Sequence, residues 1–119
     1  MHVLVLAAVL LMAPAPDYDA AMAPYHMAFD AAQSEMASAS RLNEAHDRAG
    51  TCLALMAATG DFAKAATAID PVFALLAADG TLDDGKRAGL VAQARQAKDT
   101  ALLNAGDAQA DHDRLCSKT

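Results

Sequence analysis

Over residues 24–59 the apolar positions recur every three or four residues without a break, and no other feature limits the fold so strongly. Tyr25, Phe29, Ala32, Met36 and Ala39 open the stripe, and Leu42, Ala45, Ala49, Cys52 and Met56 extend it. This is the period of a helix and not of a strand. The spacing predicts one long amphipathic helix over 24–59. Pro24 suits its first position, where the N–H would have no partner anyway. Thr59 and Gly60 suit its end. The polar side carries Asp30, Glu35, Glu44 and Arg48. Ser38 to Ser40, and Gly50 with Thr51, are its weak points, and Gly50 is the favoured place for a bend.

The rest of the chain reads as cover for that stripe. Gly60 and Asp61 form a C-cap and N-cap pair, so a reversal is expected there. The next helix presents Phe62, Ala65, Ala66 and Ile69, and is restarted or kinked at Asp70 and Pro71, with Asp70 as the cap. Val72, Phe73 and Leu76 continue its apolar face. Asp79, Gly80 and Thr81 predict a turn, and Thr81 with Asp84 a capping box. The same phrase resembles part of a calcium loop, but Lys86 stands where the bidentate Glu is needed. A last long helix is expected over 82–105, with Leu90, Ala94, Ala97 and Ala101 inward. A reversal at Gly106 and Asp107 then leads to a short helix ending near Cys116. The expected fold is all-α, a small up-and-down bundle of about four helices formed by residues 24–119.

At 119 residues there is room for one domain. Hydrophobic residues make up 55% but aromatics only 4%, because much of the apolar share is alanine. Alanine favours helix and buries little area, so the core is expected to be thin and to need a covalent staple. The formal net charge is −6, and no Lys or Arg precedes Arg41. Such a chain has no basic stripe for nucleic acid and no general attraction to anionic membranes. An unknown protein partner is the expectation.

Residues 3–13 are an unbroken apolar run, and Ala13, Pro14 and Ala15 follow the A-x-A pattern of a cleavage site. The run is shorter than the roughly 20 residues a spanning helix needs. Residues 1–15 are therefore expected to be a signal peptide and 16–23 a short acidic linker. The mature chain would be periplasmic or secreted, with no stable membrane span. The first residues lack Lys and Arg, and Pro16 would follow the cut, which a signal peptidase tolerates poorly.

Two cysteines, Cys52 and Cys116, in a small exported domain point to a disulfide. With the first reversal at Gly60, the pair can meet only if the chain reverses again at Gly106.

Chemistry is sparse. His112 and Cys116 share a helical face and, with Cys52, offer three metal ligands but no fourth. Met22, His26 and Met27, with Asp30 a turn beyond His26, are residue types that bind copper or haem in helical bundles. Such a Met stripe is ordinarily core. Asp83 and Asp84 suit a helix N-terminus. Asp111 and Asp113 flank His112 but point elsewhere on a helix. No nucleophile elbow, phosphate loop or CxxC occurs. The expectation is a non-enzymatic, exported binding or structural protein of the cell envelope, without cofactor or metal. The alternative is a Met/His metal- or haem-binding bundle.

Overall fold

The computed structural model describes residues 16–117, so the expected signal peptide lies outside the described residues. These residues form helices and no strand. Helix α1 spans Tyr18–Glu44, α2 Arg48–Ala68, α3 Asp70–Ala78 and α4 Asp84–Cys116. Only Ile69 separates α2 from α3, so the bundle consists of three long helices, the second broken once, and not of about four.

Residues 18–23, expected as linker, are the first turns of α1. Asp17 provides the N-cap, its Oδ1 accepting from the Ala20 N–H at 3.0 Å. Pro24 thus lies inside the helix and leaves the Ala20 carbonyl without its usual donor. A tertiary bond holds the extra turns: the Tyr18 hydroxyl donates to Asp79 Oδ2 at 2.6 Å, reaching the turn at the far end of α3.

The predicted 24–59 helix is two helices. After Glu44 the chain closes a Schellman turn. The Asp47 N–H donates to Leu42 O at 2.9 Å, and the His46 N–H to Asn43 O at 3.1 Å. His46 takes the left-handed position with φ 59°, the only non-glycine residue with positive φ among those described. Asp47 then caps α2, accepting from the Gly50 N–H at 2.9 Å. A Cβ on Gly50 would lie 2.6 Å from that carboxylate, so glycine is the residue that admits this cap. The break falls just ahead of the glycine expected to bend the helix.

Gly60 and Gly106 make no turn. Both lie inside helices on exposed faces, with nothing within 4 Å of an added Cβ. Around Gly60, Thr59 Oγ1 bonds back to Leu55 O, and Ala58 and Phe62 are buried. Packing on both sides of the glycine outweighs its modest helix penalty. At the α2/α3 break Asp70 caps nothing and instead pairs with Lys98 of α4 at 2.6 Å. Before α4 the N-cap is Asp83, which accepts from the Lys86 N–H at 2.8 Å, and not Thr81. Thr81 turns its N–H and hydroxyl to Asp79 Oδ1.

Helix α2 packs between α1 and α4. One core layer gathers Tyr25, Ala65, Ala66, Ile69, Val72 and Leu76 against Ala94 and Ala101. The next holds Ala32, Ala58, Phe62 and Ala108, with Phe29 touching both. Helices α1 and α4 are joined where the Tyr25 hydroxyl donates to Ala97 O at 3.3 Å.

The Cys52–Cys116 disulfide is present, with Cα atoms 5.9 Å apart. It needs no reversal at Gly106. With the first turn at 45–47, Cys52 sits at the top of the descending arm. From there to Ala78 the chain falls roughly 39 Å, and from Asp84 to Cys116 it climbs roughly 48 Å. The two ends arrive together.

Two outcomes follow. Reduction, or Cys52→Ser with Cys116→Ser, frees a loop of 64 residues and should lower the unfolding free energy by about 4 kcal/mol in urea titrations. His46→Gly relieves the left-handed strain and should raise it by up to about 1 kcal/mol, whereas His46→Val should lower it.

Candidate functional site

The proposed metal ligands do not converge. Met22 is half-buried in a recess between α1 and α4. His26 is exposed, its ring edge-on to Tyr25 at 5.3 Å. Met27 is 74% exposed and lines a different recess, beside Pro24 and Lys64. Asp30 is exposed. Cys52 and Cys116 hold each other, so neither offers a thiolate beside His112. The Nδ1 of His112 is buried without a hydrogen bond, 3.8 Å from Asp113 Oδ1. Asp113 accepts from Gln109, and Asp111 from Arg114 at 3.2 Å, so each flanking carboxylate has a partner within its own helix.

Three polar constellations stand out instead. The first closes the lower end of the bundle. Asp79 is buried and accepts from Tyr18 and Thr81. Arg87 donates to the Leu76, Asp79 and Leu82 carbonyls, satisfying the exposed end of α3. The hydrogen bonds from the Thr81 and Tyr18 side chains hold the Asp79 carboxyl below the usual carboxylate range. This cluster ties α1, α3 and α4 together. The sequence marked Asp79 and Thr81 as a turn but gave no sign of Tyr18 as their third member.

The second lies between α1 and α2. Glu35 was expected on the polar side, yet it follows Ala32 by three residues and precedes Ala39 by four, and both alanines are buried. Its Oε1 is buried without a hydrogen bond. Burial first, then the hydrogen bond and charge of Asp61 on α2, push the Glu35 carboxyl up to about 7. A carboxyl so placed holds its proton more tightly than one in water. The helical spacing of Glu35 from Ala32 and Ala39 was the available signal; Asp61 was hidden by its expected place in a turn.

The third lies at the disulfide end. Asn43 ends α1, His46 forms the turn, and Arg48, Thr51 and Cys52 begin α2. With Arg114 and Leu115 of α4 they line a recess of about 360 Å³. A groove of about 180 Å³ continues it along Met36, Ala39 and Leu55, sharing Asn43, Thr51, Arg114 and Leu115. Among the described residues no group of three His, Cys, Asp or Glu side chains is placed to hold a metal ion.

The carboxyl pair predicts a pH dependence. The folded chain binds the Glu35 proton more tightly than the unfolded chain does. That contribution to stability is full below the ordinary carboxylate range and is lost as pH rises through about 7. Asp79 acts oppositely: its contribution is present above the ordinary range and is lost as acid protonates it. Stability should therefore peak near roughly pH 5, and the thermal midpoint should fall by several degrees between pH 5 and pH 8. Glu35→Gln should flatten that alkaline limb and leave the acid limb in place. Comparison of the chain with protein families, characterised proteins and solved structures finds no match.

Proposed function

We propose that this chain is an exported, non-enzymatic helical protein of the cell envelope, periplasmic or secreted, that works by binding a partner through its surface. The observation that carries this reading is the Cys52–Cys116 disulfide joining α2 to the end of α4. Such bonds persist in oxidising compartments, and a small alanine-rich domain gains most from one. The apolar run over 3–13, ahead of a small-residue cleavage pattern, supports the same compartment.

A binding role is supported by large apolar side chains turned outward. Leu53 and Met56 on α2 are 69% and 59% exposed, and Leu103 on α4 is 66% exposed. Within α2 and α3 an 18-residue stretch is as apolar as a membrane span, and only a third of it is buried. Residues of this kind on helix faces are what a protein partner covers.

The test is the intact mass of protein made from the full-length gene in a Gram-negative host, before and after reduction and alkylation. Loss of about the first fifteen residues, with two alkylations only after reduction, is the expected result. A full-length mass with two thiols alkylated directly would sink the reading.

A further inference from the structure

We propose that the recess between α1, α3 and α4 binds a small amphiphile bearing one ammonium head. The head sits beside Asp19, and the chain lies along Met22, Leu76 and Leu90. This adds a small-molecule ligand to the surface binding proposed above. It does not rest on the compartment, so an empty recess would leave the mass measurement untouched.

The charge distribution points to the head. Tyr18, Asp19 and Gln93 supply the polar part of the wall, and among the described residues no Lys, Arg or His lines it. Asp19 is exposed, and its carboxylate takes no hydrogen bond or ion pair from the described residues. The other carboxylates nearby are committed: Asp17 and Asp83 cap helices, and Asp79 holds Tyr18 and Thr81. On α4, Arg87 donates to backbone carbonyls and Lys98 pairs with Asp70, so neither competes for Asp19. Residues 17–19 and 79–87 meet at this end and hold five carboxylates against two cations, Lys86 and Arg87. The surrounding field therefore favours a cation. The Tyr18 ring gives such a head an aromatic neighbour as well.

The rest of the wall points to the chain. Met22, Val72, Leu76, Leu90 and Ala94 make it apolar. A concave apolar surface with a few polar groups is the usual form of a small-ligand site. Val72, Leu76 and Ala94 belong to the core, and Tyr18 is fixed by its bond to Asp79. The recess is thus formed before a ligand arrives, and little ordering opposes binding. At about 30 Å³ per methylene-sized group, 350 Å³ takes about ten such groups. That is one short chain and not a helix of a protein partner, which is about 10 Å across.

The test follows amide shifts of the oxidised protein by NMR during titration with octylammonium, octanol, octanoate and ethylammonium, each below its micelle threshold. At about pH 6 the amines are charged and an ordinary aspartate is ionised. Octylammonium should saturably shift Met22, Leu90, Gln93 and Ala94. Ethylammonium, which lacks the chain, should bind at least tenfold more weakly. Octanol, which lacks the charge, should bind about fivefold more weakly, and octanoate more weakly still. Asp19→Asn, at an exposed position, should bring octylammonium down to the affinity of octanol while leaving octanol itself unchanged. No saturable shift at these residues, octanol or octanoate binding as tightly as octylammonium, ethylammonium matching it, or an indifferent Asp19→Asn would each overturn the proposal.

Discussion

Alanine sets the physical terms of this bundle. Among the described residues, nine of the fifteen buried apolar ones are alanine: 28, 32, 39, 58, 65, 66, 94, 101 and 108. A buried alanine removes little area from water, so each core layer contributes less than a leucine layer would. What alanine allows is close approach of helix backbones, and α2 uses it on both sides, against α1 and α4. Few side chains then fill the remaining space. Ile69 and Leu76 are the largest that are fully buried, and both lie in the lower half. The upper half has Phe62 and Leu55 as its large buried side chains. A core this thin gains from a covalent tie, and the disulfide supplies one at the upper end.

The two ends are closed by different chemistry. At the lower end, Asp79 gathers Tyr18 and Thr81, while Arg87 satisfies the last carbonyls of α3. Buried polar groups of this kind are stabilising only while every member keeps a partner. At the upper end the closure is covalent. It links the first turns of α2 to the last turn of α4, while the end of α1 is held by its turn at His46 and by the burial of Ala39. The recess lined by Asn43, Arg48 and Arg114 lies at this covalently closed end.

Helix content, the break at Asp70 and Pro71, the turn at 79–81 and the disulfide were all legible in the sequence, because each rests on local chemistry or residue type. The reversals were not. Gly60 and Gly106 carry the residue preferred at helix ends, yet the helices run through them because buried neighbours, Ala58 and Phe62 for the one and Ala108 for the other, continue the apolar stripe. The actual reversal uses His46, less obvious than a glycine though histidine is among the non-glycine residues enriched in the left-handed region, and a further signal lay in Asp47 ahead of Gly50. Two misplaced turns compensated each other. Moving the first upward by about four helical turns and deleting the second leaves Cys52 and Cys116 at the same height, so the disulfide was foreseen on a topology that was not. Tertiary partners of single polar residues, Tyr18 with Asp79 and Glu35 with Asp61, join segments distant in sequence, and periodicity carries no information about them.

The carboxyl pair bears on how α1 is held. Ala32 and Ala39 bring α1 close to α2, and Glu35 lies between them with a buried oxygen that no donor satisfies. Closer packing of the alanines and solvation of that carboxyl compete for the same gap. With Glu35 protonated the gap can stay shut; once it ionises, the gain of water favours opening. The contact between α1 and α2 above Phe62 thus weakens as pH rises, whereas the Asp79 cluster at the other end weakens in acid. The α1–α2 contact lies a few turns below the recess at the disulfide end, on the same two helices. The covalent link joins α2 to α4 and does not include α1, so at this end α1 is held by its turn and by the packing of Ala32, Met36 and Ala39.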